Sequence, residues 1–253
     1  MCGIVAIAGK DQVASRLVDG LKRLEYRGYD SAGIALASGA GIERRRAKGK
    51  IHNLQARLSE DPVEGFTGIA HTRWATHGAP NETNAHPHMA GGAAVVHNGI
   101  IENYRELREA LEARGRVFES ETDTEVIAQL IAQNMSEGMD EVAAFADALT
   151  HFTGAFAIAA IFAGKPDLVI GARKGSPLVL GYGEGEMYLG SDAIALAPLT
   201  REVTYLEEGD WVILTSNSFD IRNVRGERVN RPRVTSAVND ALIERGEYDH
   251  FML

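Results

Sequence analysis

No intramolecular disulfide can form in this chain, because Cys2 is its single cysteine. That suits a reducing compartment, where thiols stay free. An excess of basic charge is also missing. The formal net charge is −9, so the basic face that general nucleic-acid binding requires is not expected. One run goes against this balance, Arg44-Arg45-Arg46 with Lys48 and Lys50, and it reads as a solvated strand face and turn. No stretch approaches the roughly 20 apolar residues of a membrane span. The segment Met1–Lys10 has neither the basic start nor the apolar length of a signal peptide. Membrane and nucleic acid are therefore not expected partners, and the cytoplasm is the expected compartment. No repeat, low-complexity tract or Ser/Pro-rich linker divides the chain. What is present is 45% apolar and 24% charged residues over 253 positions, enough for one sizeable core.

The hydrophobic pattern changes along the chain. Residues 3–8 form a short apolar run that ends at Gly9, as a buried strand does. Val13, Leu17, Leu21 and Leu24 then recur at helical spacing. Residues 32–37, Gly68–Arg73 and Ala93–His97 are strand candidates, with a long loop, His77–Gly92, between the last two. Loops of that length in compact domains are usually functional or mobile. Three helical stretches follow. They carry Tyr104, Leu107 and Leu111, then Val126, Ile127, Leu130 and Ile131, then the segment from Asp140 to His151. After Gly154 the pattern becomes β: 155–163, 168–173, 178–182, 187–189, 203–206 and 211–215, joined by Gly-containing turns. The expectation is one α+β domain of antiparallel sheets with helices on their outer faces. The apolar end, through Tyr248, Phe251, Met252 and Leu253, suggests a chain that continues into a further part.

Cys2 directly follows the initiator methionine. Removal of Met1 would place a thiol and a free α-amine on one residue. An α-amine has a pKa of about 8 in model compounds, so it can accept the thiol proton directly or through one water. The plain alternative is a small buried residue at the start of a strand. Three further positions suit a site for an amino-acid amide. Arg73, at the end of an apolar strand in His71-Thr72-Arg73-Trp74-Ala75-Thr76-His77-Gly78, has the guanidinium fork that binds a carboxylate, or makes a surface ion pair. Asp123, in Ser120-Glu121-Thr122-Asp123-Thr124-Glu125, can bind an ammonium or serve a helix start, where Thr122 and Glu125 match a capping box. Asn98-Gly99 can make an oxyanion hole from a side-chain amide and a backbone N–H, or a simple turn.

Together these residues resemble a known family. Cys2-Gly3-Ile4-Val5 is similar to the opening of the class II glutamine amidotransferases, which are N-terminal-nucleophile hydrolases. Longer blocks narrow the resemblance: Leu24–Gly33, His71–Gly78 with Asn84–His88, and Val95–Asn103 with Ser120–Ala128. These resemble the glutamine–fructose-6-phosphate aminotransferase family. Amidophosphoribosyltransferases and asparagine synthetases share the N-terminal cysteine but differ in these blocks. One departure is Ala6, where many members have Gly.

The resemblance implies a four-layer αββα sandwich of two antiparallel sheets flanked by helices. It implies hydrolysis of L-glutamine to glutamate and ammonia through Cys2, with Asn98 and Gly99 as the oxyanion hole and Arg27 supporting the N-terminal residue. Arg73 and Asp123 would hold the α-carboxylate and α-ammonium, Thr76 and His77 would line the substrate, and Trp74 would sit on a loop that closes over it. Gly175–Leu178 and Ser191-Asp192 match framework motifs and receive no chemistry. The resemblance calls for no cofactor and no metal. It implies residues 1–240 as the glutaminase domain and 241–253 as the start of a hinge into a sugar-phosphate isomerase part, in a homo-oligomeric full-length enzyme. No phosphate-cradling motif occurs in the chain itself. Three other readings remain open at this point. One is a class II amidotransferase with a different acceptor, and another is a non-catalytic glutamine-binding domain. The third is a metallohydrolase built on His71, His77, His86, His88 and His97.

Overall fold

A computed structural model describes residues 2–237. Met1 and the hinge expected at 241–253 lie outside the described residues. Strands β1 (Gly3–Ala8), β2 (Ser31–Ser38), β3 (Gly41–Lys48) and β4 (Thr67–Arg73) come first, with β5 (His88–Ala90) and β6 (Ala93–Ile101) after a long loop. Strands β7 (Gly154–Phe162), β8 (Lys165–Lys174), β9 (Val179–Tyr182) and β10 (Met187–Gly190) follow the helical middle. The last are β11 (Glu202–Tyr205), β12 (Trp211–Leu214), β13 (Phe219–Arg222) and β14 (Val234–Thr235). The helices are α1 (Ala14–Lys22), α2 (Ile51–Glu60), α3 (Tyr104–Glu112), α4 (Glu125–Ser136), α5 (Glu141–His151) and the short α6 (Ala193–Leu196).

The strands form an eight-stranded sheet, β14-β11-β9-β10-β1-β4-β2-β3, and a six-stranded sheet, β13-β12-β8-β7-β6-β5. Their ladders are antiparallel. Side chains alternate across each strand, so both faces of β1 can be apolar only if both are covered. Ile4, Ala6 and Ala8 enter the core between the sheets with Ala35, Ile69, Ala94, Val96, Ala157 and Ala159. Val5 and Ile7 point the other way, into a second core with Leu17 and Leu21 of α1 and Leu54 of α2. On the outer face of the second sheet, Val95, Ile158 and Ile170 meet Ile127, Ile131 and Phe145. Three cores between four layers make the αββα sandwich. Many alanines on the inner faces suit the close, interdigitated spacing of packed sheets.

Several details differ from the sequence reading. The expected loop 77–92 is shorter, because His88–Ala90 pairs with β6 as an edge strand. Helix α2 and the short strands β13 and β14 carry too little periodicity to be seen in isolation. The arginines of the basic run are not a solvated face, although Lys48 and Lys50 are exposed. Arg44 donates to the Pro87 carbonyl, and Arg46 to those of Thr83 and Ala85, so this part of β3 clamps the long loop. Gly33 permits that approach, since a Cβ there would lie 2.2 Å from the His86 carbonyl oxygen.

Candidate active site

The candidate residues converge at one end of the space between the sheets. Antiparallel pairing sets Gly3 opposite Thr72. Cys2 therefore follows the inward alternation of Ile4 and Ala6 and falls beside the end of β4, where Arg73 sits. From the other sheet, Asn98 lies on the inward-facing series of β6 that includes Ala94 and Val96. Cys2, Arg73, Trp74, Thr76, Gly99 and Asp123 line one small space of about 10 Å³, together with His86, His97, Thr122 and Thr124. His77 stands just outside that lining, with Nδ1 3.8 Å from Asp123 Oδ1.

The Cys2 sulfur accepts the backbone N–H of Trp74 at 3.2 Å. Burial pushes the thiol pKa up, while that N–H and the nearby Arg73 charge pull it down. Asn98 Nδ2 donates to the Cys2 carbonyl at 3.1 Å, so the amide reaches across from one sheet to the nucleophile on the other. Asn98-Gly99 is not a turn but lies within β6. Gly99 is required there. Its φ is +124°, and a Cβ would come 2.0 Å from the Ala155 carbonyl oxygen on the neighbouring strand.

Arg73 is buried, and its guanidinium donates to the carbonyl of His77, with Gly78 and Ala79 oxygens at 3.5 Å. Burial lowers its pKa, against which Asp30, Cys2 and Asp123 act. A cation hydrogen-bonded to loop carbonyls rather than to a carboxylate among the described residues is well suited to an incoming carboxylate. Trp74 is half exposed, and its ring meets Tyr29 edge to face at 5.8 Å. The segment beyond it is anchored by Asp30, whose carboxylate accepts the Ala75 N–H. Thr76 Oγ1 lies 3.3 Å from His77 Nδ1.

Asp123 is buried, with Oδ2 accepting the Ile101 N–H at 2.8 Å. The expected capping box is not formed. Helix α4 starts at Glu125 after Thr124, whose hydroxyl meets His97 Nδ1 at 2.9 Å instead of capping. Thr122 Oγ1 meets His88 Nε2 at 3.0 Å. Glu125 accepts the N–H groups of Glu119 and Ser120 upstream, which fixes the loop that carries Asp123.

Arg27 lies in a single 3-10 turn, Glu25–Arg27, and pairs with the carboxylate of Asp192. Ser191, the neighbour of Asp192, exchanges hydrogen bonds with the Ile4 backbone. The Ser191-Asp192 motif thus ties Arg27 to the start of β1, a role the sequence did not reveal. His86 lies tilted against His71 with centroids 4.1 Å apart and meets His88 edge to face at 5.0 Å. Burial holds His86 and His88 well below the usual imidazole range, and His71 at about 3. His97 is lowered by burial and partly restored by Asp123. Among the described residues, no three His, Cys, Asp or Glu side chains are arranged to hold a metal ion. The same residues contain no helix long and apolar enough to cross a membrane.

Comparison with known proteins gives a consistent result. A family model described as a glutamine amidotransferase domain matches residues 71–198. The chain is 57% identical over its whole length to glutamine–fructose-6-phosphate aminotransferase (isomerizing) of Bradyrhizobium diazoefficiens, and 56% identical to the Zymomonas mobilis protein of that name. It spans 41% and 42% of the length of those relatives. Among solved structures, a glutamine phosphoribosylpyrophosphate amidotransferase from B. subtilis superposes with a TM-score of 0.75 at 26% identity. That match covers 88% of this chain and 49% of the other. A glutamine aminotransferase class-II domain protein from Silicibacter pomeroyi shares the fold, with a TM-score of 0.57 at 16% identity over 88% of this chain and 99% of that one.

Proposed function

The chain belongs to the glutamine amidotransferases, and from that premise we propose that it hydrolyses L-glutamine to glutamate and ammonia through Cys2, freed as the N-terminal residue. The observation that carries this reading is the convergence of Cys2, Gly99, Arg73 and Asp123 on one small space between the sheets, with Asn98 hydrogen-bonded to the Cys2 carbonyl beside it. The Cys2 thiol passes its proton to its own α-amine, and the thiolate attacks the side-chain carbonyl carbon of glutamine. A C–S bond forms, and the carbonyl π electrons move to oxygen. Asn98 Nδ2 and the Gly99 N–H stabilise that oxyanion. Collapse of the tetrahedral species breaks the C–N bond, and the ammonium of Cys2 supplies the proton that ammonia needs to leave. Water then cleaves the thioester to give glutamate. Arg73 exchanges its loop carbonyls for the α-carboxylate, Asp123 receives the α-ammonium, and Thr76 and His77 flank the bound molecule. Arg27, through Asp192, supports the end of β1 that carries Cys2. The segment from Trp74 moves to admit glutamine, since the present space is too small for it, and closing again excludes water.

In a full-length protein the ammonia would pass to fructose 6-phosphate. That assignment rests on the names of relatives of which this chain spans about two fifths. A cytoplasmic setting suits a catalytic thiol of this kind. The test is glutamate release from L-glutamine, beside Cys2→Ala, on protein whose intact mass shows Met1 absent. Activity that disappears in the variant supports the mechanism. Activity retained by Cys2→Ala would rule it out, and an inactive processed protein would point to glutamine binding alone.

A further inference from the structure

We infer that His71 is a positioning residue for the oxyanion hole: it donates its Nε2–H to the Asn98 side-chain oxygen and so holds the amide with its NH2 end toward Cys2. The inference rests on the proposed glutamine hydrolysis and extends it to a residue that touches neither substrate nor nucleophile.

An asparagine amide has two ends of similar shape and opposite hydrogen-bonding character. Only the NH2 end stabilises an oxyanion. A flipped amide would set an acceptor against the developing negative charge. Something must therefore choose the orientation of Asn98. His71 Nε2 lies 3.0 Å from the His97 carbonyl oxygen and 3.0 Å from Asn98 Oδ1. The backbone carbonyl can only accept, so Nε2 must carry the hydrogen. The Asn98 atom facing it must then be an acceptor, which places oxygen at His71 and nitrogen toward Cys2. The Cys2 carbonyl, which accepts from Asn98 Nδ2 at 3.1 Å, favours the same orientation from the other side.

The setting makes that choice persistent. His71 is fully buried on β4, in the eight-stranded sheet, whereas Asn98 and His97 lie on β6, in the other. Its other nitrogen, Nδ1, makes no hydrogen bond among the described residues, so no acceptor there competes for the proton. The ring of His86 stacks on it at 4.1 Å. Burial holds the imidazole at a pKa of about 3, so it stays neutral, with one tautomer, across the pH range of an ordinary assay.

Three variants test this. In His71→Gln the amide nitrogen sits where Nε2 was, while in His71→Asn the shorter amide matches Nδ1 instead. His71→Phe keeps the ring and removes the donor. His71→Phe and His71→Asn are expected to lower kcat for glutamine roughly tenfold to a hundredfold, the scale of a disturbed oxyanion donor. KM should stay within about twofold, because Arg73 and Asp123 are untouched, and His71→Gln should recover most of kcat. Wild-type kcat in folded His71→Phe overturns the inference, as does a His71→Gln defect equal to that of His71→Phe. A second readout needs no turnover: nitrogen-15 spectra of the wild-type imidazole should show the hydrogen on Nε2, and the Asn98 amide signals should shift in His71→Asn. A hydrogen on Nδ1 overturns the inference. Wild-type protein without glutaminase activity would defeat the functional reading itself, while the spectra would still decide the orientation.

Discussion

The space between the two sheets has two ends built on opposite principles. At one end Ile4, Ala6, Ala8, Ile69, Ala94 and Val96 fill it with nothing but apolar atoms. At the other, β4 and β6 present His71, Arg73 and Asn98, all buried, and Cys2 stands just before β1. The backbone ladder is continuous through both, so the difference lies entirely in side chains. The apolar end is held by area and shape, which are forgiving of orientation. The polar end is held by directed bonds: Asn98 to the Cys2 carbonyl, His71 to Asn98, and Arg73 to the His77 carbonyl. There a change of one atom alters a network without altering the fold. One scaffold therefore supports two kinds of sensitivity, and substitutions should separate them.

The largest separation is at the nucleophile. Cys2→Ala should abolish glutamate release, yet the unfolding temperature should stay close to wild type, because Cys2 is only partly buried and its thiol makes a single weak contact set with Trp74. A large loss of thermal stability would mean that the two ends are not independent. Gly99→Ala should follow, with kcat down about a hundredfold or more. It should also lower the melting temperature, since a Cβ 2.0 Å from the Ala155 oxygen forces β6 and β7 apart. Asp123→Asn keeps the shape and the Ile101 N–H bond but removes the charge. Loss of a charge-assisted hydrogen bond of about 1.5–3 kcal/mol should raise KM for glutamine roughly tenfold to a hundredfold, with a smaller effect on kcat. At the apolar end, Ile69→Ala should cost about 2–5 kcal/mol of stability in denaturant titrations. Protein that remains folded should keep its KM, and a changed KM would break the contrast drawn between the ends.

A further effect sought is the pH dependence of stability. His71 has a folded pKa of about 3 against 6.5 when unfolded. Below pH 6.5 the unfolded chain takes up a proton that the folded chain refuses, so stability falls as pH drops from 6.5 toward 3. The slope is about 1.4 kcal/mol per pH unit for each such imidazole. His86 and His88 add in the same direction. Replacing His71 with Gln should flatten the decline measured by unfolding titrations between pH 6.5 and 4, and an unchanged slope would show that His71 is not held neutral.

Much of this was legible in the order of residues. Alternating or continuous apolar runs marked most of the strands, and the helical periods of α1, α3, α4 and α5 were plain, because burial of a face imposes its period locally. Cys2, Arg73, Asn98 and Asp123 stood out because each has a chemistry that a glutamine site needs. Contacts between distant segments were not legible. Arg44 and Arg46 read as surface charge until β3 met the 83–87 loop. Thr122 read as a cap until it met His88. The histidines left a metal-ligand alternative open, but the stacked sheets seal His71, His86, His88 and His97 from water and leave only His77 partly exposed. Local sequence determined the elements and the kinds of chemistry available, since propensity and periodicity act over a few neighbouring residues. Only the packing of one sheet on the other decided that His71 faces Asn98 and that Asn98 faces Cys2, because those partners lie on different sheets and meet nowhere along the chain.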